Sequence, residues 1–284
     1  MNQEKENWDL VIKPKQSMFS IDLKALWRYR DLLLLFVKRD FVSVYKQTIL
    51  GPIWFFVQPI LTTLTFLIIF GNIAKISTDG IPKVLFYLSG IVLWNYFAEC
   101  LMKTSETFTA NANIFGKVYF PRLIVPLSVV TSNLIRLGIQ LLLFVGFWLY
   151  FYLTGAAVEV NAGILLLPVL LLLMAGHGFA FGIIISSLTT KYRDLKFLVQ
   201  FGVQLLMYAS PVVYPLSSVP EKYKWIILMN PMTSIIETFR YSVLKSGSSF
   251  EPVYLVYNAA ALVVVLSIGL FIFNKVEKSF MDTV

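Results

Sequence analysis

The sequence predicts an all-α integral membrane protein with six transmembrane helices. Hydrophobic residues make up 57% of its 284 residues and charged residues only 14%, and its mean hydropathy is +0.73. Soluble globular proteins carry about 25% charged residues. The apolar residues are also gathered into long runs, and a bilayer core about 30 Å thick requires about 20 apolar residues per helix. A water-soluble fold is therefore excluded.

Six apolar runs are long enough to cross a bilayer. They lie at Ile53–Phe70, Val84–Met102, Leu123–Leu153, Gly163–Thr190, Phe197–Tyr214 and Tyr254–Asn274. The third and fourth exceed the bilayer thickness, so we expect them to tilt, kink or project beyond it. The predicted organisation is an N-terminal segment of residues 1–52, a transmembrane domain of residues 53–274 and a tail of residues 275–284.

Lysine and arginine residues predict the orientation. Seventeen of them lie in the N-terminal segment, the second and fourth connections and the tail, against six in the odd-numbered connections. The positive-inside rule then places both termini in the cytoplasm. The first twenty residues contain Glu4, Glu6, Asp9 and Pro14 and no continuous apolar stretch, so we expect no cleaved signal peptide.

Two segments are predicted to be helical without crossing the membrane. Residues 22–39 mix leucines and a tryptophan with basic residues, with Asp22 as the expected N-cap, which suits a helix lying in the membrane interface. An ordinary helix packed on the cytoplasmic face is the alternative. The connection Pro215–Pro252 contains an apolar run ending at Met229 and an amphipathic stretch, Thr233–Leu244, which predict re-entrant or interfacial outer helices.

Several functional classes are excluded by what the sequence contains. Cys100 is the single cysteine and His177 the single histidine, so no disulfide framework or zinc site rich in these residues is expected. No phosphate-binding loop of the Walker type is present, and Glu99 is the one acidic residue clearly within a predicted span. We therefore expect no catalytic residues, no metal site and no cofactor bound by this chain. The net charge of +8 resides in segments that flank spans, which argues against nucleic-acid binding.

Arg136 is the most unusual residue, because a charge within a span is costly and normally faces a cavity or a partner. One interpretation is a pore-facing cation that meets a phosphate or pyrophosphate group of a substrate. The other is a structural pair with a carboxylate or a carbonyl of another helix. Glu99 is expected near the cytoplasmic end of its span, where it either snorkels to the interface or pairs with Lys103 one helical turn away. His177 lies between glycines, which favours a polar contact at a close helix crossing over the alternative of a proton relay.

Forty-four aromatic residues are numerous even for a membrane protein. Most are expected to anchor the helices at the interfaces or to pack towards lipid. The alternative is that some line a translocation path, where aromatic faces suit sugar rings. The clusters considered for that path contain Trp94, Tyr96 and Phe97, and Trp148 with Tyr150.

Several motifs, in order along the chain from Leu23 to the C-terminus, resemble one known family. They are Tyr45-Lys46-Gln47-Thr48-Ile49-Leu50-Gly51-Pro52-Ile53-Trp54 with Gln58-Pro59, Asn113-Ile114-Phe115-Gly116-Lys117-Val118-Tyr119-Phe120-Pro121-Arg122, Lys191-Tyr192-Arg193-Asp194, Ser210-Pro211-Val212-Val213-Tyr214-Pro215, and Asn230-Pro231-Met232 with Glu237 and Arg240. The sequence is similar to the transmembrane subunit of ABC exporters of the ABC-2 type. The branch it resembles moves lipid-linked polysaccharides such as O antigens, capsules and teichoic acids.

The resemblance implies a permease in the bacterial plasma membrane that works as a homodimer with two ATP-binding cassette subunits. ATP and magnesium would bind to those partner subunits, and a lipid-linked glycan would pass between the two copies. The family's coupling helix would fall in Thr104–Phe120. The residues expected to dock the ATP-binding subunit are Phe115, Lys117, Tyr119, Phe120 and Arg122, and those expected at an outer gate are Tyr214, Asn230, Glu237 and Arg240.

Three alternatives remain open from the sequence. An ABC-2 exporter of a small lipid or drug would share the fold and differ in its substrate. An integral-membrane enzyme of lipid-linked sugar assembly would suit an aromatic-rich bundle, but the carboxylate or metal-binding cluster that such chemistry needs is missing. A structural scaffold would explain the spans but not Arg136.

Overall fold

The computed structural model describes residues 23–46, 48, 51–156, 158–244 and 251–283. Every regular element within those ranges is a helix, so the predicted all-α fold is confirmed. The predicted N-cap Asp22 lies outside the described residues, as do Gln47, Ile49 and Leu50 of the first motif.

Eleven α-helices follow one another in the described chain. They are α1 (Leu23–Arg28), α2 (Arg30–Tyr45), α3 (Trp54–Phe66), α4 (Lys83–Ser105), α5 (Thr107–Phe115), α6 (Ile124–Leu153), α7 (Leu167–Thr189), α8 (Leu195–Tyr208), α9 (Glu221–Met229), α10 (Pro231–Leu244) and α11 (Pro252–Thr283). A π-helical segment, Leu67–Ile73, prolongs α3, and a 3-10 turn, Ala162–Leu166, precedes α7.

Five helical stretches in the described part of the chain are long and apolar enough to cross a membrane. They are Gly51–Ile73, Lys83–Ser105, Ile124–Leu153, Ala162–Thr189 and Pro252–Lys278. Each corresponds to one of the predicted spans. The last helix continues to Thr283, so residues 275–283, predicted as a tail, extend it.

The predicted span Phe197–Tyr214 has a shorter counterpart in α8, which has 14 residues and ends at Tyr208. At 1.5 Å per residue, α8 is about 21 Å long, which is less than the thickness of a bilayer core. The chain turns at Ser210-Pro211, where proline disfavours a helical conformation of the residue before it. The non-spanning segments are helical as predicted, as α1 and α2 on one side and α9 and α10 on the other.

The centre of the bundle is α4, which packs against α3, α6, α7, α8 and α10. Its contact with α7 is close because two glycines of α7 face it. A Cβ added at Gly182 would lie 2.4 Å from the Cβ of Thr104, and one at Gly178 would lie 2.8 Å from the Cβ of Cys100. Small residues that permit such approach are typical of membrane helix pairs. The close helix crossing predicted around His177 is therefore present.

A second core lies at the end of the bundle that contains α5. Five phenylalanines from four parts of the chain form this aromatic cluster: Phe36, Phe108, Phe115, Phe120 and Phe273. The rings of Phe108 and Phe273 stack with centroids 4.7 Å apart. The cluster joins α2, α5 and α11 into one packed unit.

Candidate functional site

Arg136 of α6 forms an ion pair with Glu99 of α4. Glu99 also forms an ion pair of 2.9 Å with the Lys103 ammonium, which confirms the predicted i,i+4 pair. The guanidinium of Arg136 lies 5.4 Å from the centre of the Phe55 ring. The Arg136 side chain is 12% exposed and that of Glu99 is 39% exposed. The structure thus supplies the carboxylate partner of the structural interpretation, and a role of Arg136 in substrate binding stays a prediction.

His177 is fully buried in α7 beside the close crossing. Its Nδ1 donates a hydrogen bond of 2.9 Å to the carbonyl of Leu173 on the same helix. Its ring lies 6.1 Å from that of Phe181. This is a packed imidazole that satisfies part of its hydrogen bonding locally.

The aromatic residues predicted for the path occupy two environments. Trp94, Tyr96 and Phe97 of α4 are at most 3% exposed, so within one copy they are core residues. Trp148 donates a hydrogen bond of 3.0 Å from its indole nitrogen to the carbonyl of Val243, whereas Tyr150 is exposed. Only Tyr150 presents most of its surface to the exterior of the bundle.

The five residues predicted for docking also divide. Lys117 and Tyr119 are exposed. Phe115 and Phe120 are buried in the aromatic cluster. Arg122 donates a hydrogen bond of 2.6 Å to the carbonyl of Glu277 in α11. Burial lowers the pKa of the Arg122 guanidinium.

Helix α5 is the nine-residue helix within Thr104–Phe120, the segment predicted to contain a coupling helix, and hydrogen bonds join its start to α7. The backbone N–H of Phe108 donates to the hydroxyl of Ser186 in α7 at 3.3 Å. The hydroxyl of Thr189 donates to the carbonyl of Ser105 at 3.1 Å. A displacement of α5 would therefore be passed to α7 and, through the aromatic cluster, to α11.

A cavity of about 470 Å³ lies between α5 and the connection from α7 to α8. Its lining includes the hydroxyl residues Thr109 and Thr190 and the basic residue Arg193. An ion pair of 2.6 Å between Lys196 and Glu106 borders it. The sequence does not reveal this pair, because its members are ninety positions apart and no periodicity relates them.

Arg240 of α10 is 2% exposed and is surrounded by acceptors. Its guanidinium donates to the carbonyls of Phe86, Pro211 and Val212 and to the Ser89 hydroxyl. Its counter-ion is Glu237, 3.2 Å away in the same helix. Burial lowers the pKa of Arg240 to about 10. Because this value is still above neutral pH, the guanidinium remains charged. The arrangement joins α10, α4 and the turn after α8.

Asn230 and Tyr214, also predicted for the outer gate, form hydrogen bonds near that turn. The Asn230 amide donates to the Ser210 hydroxyl at 2.7 Å and accepts from the N–H of Met232 at 3.0 Å. The Tyr214 hydroxyl donates to the carbonyl of Tyr208 at 3.1 Å. The structure therefore brings Asn230, Glu237 and Arg240 together as supports of α10. Among the described residues, no group of three His, Cys, Asp or Glu side chains is placed to hold a metal ion.

Comparison with known proteins gives one family and several relatives. The family model for ABC-2 type transporter proteins matches residues 31–244. The O-antigen export system permease protein RfbA of Klebsiella pneumoniae is 28% identical over 253 residues, 89% of this chain and 94% of the relative. RfbA of Myxococcus xanthus is 26% identical over 267 residues, 92% of this chain and 98% of the relative. The polysialic acid transport protein KpsM of Escherichia coli is 26% identical over 253 residues, 86% and 93% of the two chains.

Proposed function

Because the chain belongs to the ABC-2 type transporter family, we propose that it is the permease subunit of an ATP-driven exporter of a lipid-linked polysaccharide. The observation that carries this proposal is the near full-length similarity to permeases that the O-antigen and polysialic acid systems use. An O antigen, a capsular polymer or a teichoic acid is the expected class of cargo. The membrane is the plasma membrane of a bacterium, and both termini lie in the cytoplasm.

The proposed partners are a second copy of the chain and two ATP-binding subunits. The exposed Lys117 and Tyr119 supply charge and aromatic surface at the end of α5, and the neighbouring cavity offers a recess bordered by Arg193. ATP and magnesium would bind in the partner subunits. Nucleotide-driven closure of those subunits would displace α5, and the tethers to α7 and α11 would carry the displacement into the bundle.

In this proposal the chain contributes a path and not a reaction. Two ion pairs place charge inside the described bundle. Arg136 pairs with Glu99 between two helices, and Arg240 pairs with Glu237 within one helix. Such pairing stabilises a helix arrangement and leaves no free acid or base poised for proton transfer at these two positions. Work for export would come from ATP hydrolysis by the partner subunits.

The test is affinity purification of the tagged chain from its native host in mild detergent. Mass spectrometry should identify a stoichiometric ATP-binding subunit and a polyprenyl-linked glycan. Removal of the chain should leave the polymer inside the cell and lower its level at the surface. Copurification of biosynthetic enzymes alone would support an enzyme of sugar assembly, and a bound small lipid would support the other exporter class.

A further inference from the structure

In the described part of the chain, helix α8 carries a largely uncovered polar face, of which one member, Lys196, forms an ion pair with Glu106. Lys196, Gln200 and Gln204 follow one another at every fourth position and are all exposed. At 100° per residue these three side chains lie within about 80° of one another. Arg193, also exposed, continues the same face beyond the start of the helix.

The remaining surface of α8 is apolar and has two different neighbours. Val199, Val203 and Leu206 pack against the core around α4. Leu198, Phe201 and Leu205 are 65%, 59% and 52% exposed on another side, as expected for a lipid-facing surface. The polar face lies between these two surfaces, so it is distinct from the part of α8 that suits contact with lipid.

The two glutamines lie at the sixth and tenth positions of a 14-residue helix, well inside its length. Within the described residues, neither amide has a hydrogen-bonding partner. Two threonines of α3 differ, since the half-buried Thr62 and the exposed Thr65 donate to carbonyls of their own helix at 3.0 and 2.9 Å. An unpaired amide in hydrocarbon is unfavourable by several kcal/mol, so the α8 amides require water or a polar ligand.

Direct contact with α8 of a second copy is the less favourable way to cover this face. A two-fold interface places the same residue types opposite each other. Arg193 of the two copies would then meet at one end of the interface and bring like charges together, whereas Lys196 is already paired with Glu106. A hydrated space between copies avoids this repulsion and leaves the amides accessible.

The order of groups along the face indicates the chemistry of its ligand. Cations stand at the end next to the cavity, and uncharged amides stand further along the helix. Amides both donate and accept hydrogen bonds, which matches sugar hydroxyls, and they hold a moving polymer less tightly than charges would. An anionic phosphate group suits the end with Arg193, where Lys196 is paired with Glu106.

We infer that Gln200 and Gln204 are sugar-contacting residues, which bind hydroxyl groups of the passing glycan in a water-filled path. This inference rests on the proposed function, because it assigns the glycan of that function to one face of α8. The principal contacts of the polymer are then the uncharged amides of α8 and not the buried aromatic residues of α4.

The first test measures water access by cysteine labelling in membranes of the native host. The parent chain is a built-in control, because its single cysteine, Cys100, is buried. Gln200→Cys and Gln204→Cys should react with a hydrophilic methanethiosulfonate reagent about tenfold faster than Leu198→Cys and Leu205→Cys. Equal rates on both faces, or a spontaneous disulfide between two copies at Gln204→Cys, would overturn the inference.

The second test compares cells that make the polymer with cells that lack its first sugar transferase. Polymer in the path should slow the labelling of Gln200→Cys and Gln204→Cys by about threefold. Labelling that is fast but indifferent to the polymer would mean a water path without sugar contact, against the inference. The proposed function has a separate test that involves no α8 variant. It is contradicted if the level of surface polymer is unchanged when the whole chain is removed.

The third test replaces the amides by groups of similar size. Gln200→Leu with Gln204→Leu should lower export about tenfold at unchanged membrane abundance. Leu198→Met with Leu205→Met, on the lipid-facing side, is the matched control and should leave export unchanged. Full export in the double leucine variant would remove the amides from the path.

Discussion

The guanidinium of Arg240 lies 3.7 Å from the centre of the Phe86 ring. The same group donates to carbonyls on both sides of that contact, one in α4 and two in the turn after α8. A Cβ at Gly90, one turn further along α4, would lie 2.9 Å from Nη2 of Arg240. The outer helix α10 is therefore held against α4 by one buried cation.

Replacing Arg240 by glutamine should destabilise the protein by about 3 kcal/mol or more, because Glu237 and several carbonyls lose a buried partner. Lysine should recover only part of this, since it lacks the planar fork and the stacking on Phe86. Thermal unfolding in detergent and membrane abundance measure the effect. Lys224→Gln, at an exposed ion pair in α9, is the control and should be neutral.

The pair between Arg136 and Glu99 should show energetic coupling. Arg136→Gln and Glu99→Gln should each lower thermal stability, and the double variant should lose about 1 kcal/mol less than the sum. The reason is that each single change leaves a partly buried charge with fewer partners. If Arg136 served the substrate alone, Arg136→Gln would reduce export with stability intact, and the double variant would show no coupling.

The crossing of α4 and α7 should not tolerate even one added methyl group. Gly182→Ala should cost about 1–3 kcal/mol, because its Cβ would overlap Thr104. Gly146→Ala in α6 is the matched control, since no atom lies within 4 Å of a Cβ there. That change should be neutral or slightly stabilising through helix propensity. Equal melting temperatures for both variants would contradict the close packing.

The predicted docking residues should fall into two groups. Some contact the ATP-binding subunit, and the others stabilise the fold of the permease. Lys117→Glu should weaken binding of the ATP-binding subunit about tenfold with the fold intact, since Lys117 is exposed. Phe115→Ala should lower the stability of the permease itself by about 3 kcal/mol, since it leaves a cavity in the aromatic cluster. Copurification and thermal unfolding distinguish the two effects. Lys222→Glu, on α9, is the charge-matched control, and unimpaired binding by Lys117→Glu would argue against docking there.

The structure changes how the predicted outer gate is viewed. Asn230, Glu237 and Arg240 all support α10, whose residues are mostly buried. The preceding helix α9 has no buried residue. Movement in the outer segment, which stays a prediction, is therefore easier for α9 than for α10.

Features that depend on the order of residues along the chain could be predicted without the structure. Apolar runs of sufficient length predicted the five long spanning stretches, and motifs in order predicted the family. The pair between Glu99 and Lys103 was predictable because both lie on one helix, one turn apart. Helical geometry fixes such neighbours without any knowledge of packing.

Contacts between groups that are distant along the chain could not be predicted, because they depend on helix packing. The pairing of Arg136 with Glu99, the acceptors around Arg240 and the burial of Trp94 all depend on how separate helices pack. The early end of α8 was also not predictable, because the apolar run continues beyond Tyr208 through a turn and hydropathy does not distinguish a turn from a helix. Hydropathy reports the preference of each segment for lipid, whereas contacts between helices depend on shape and hydrogen bonding across the bundle.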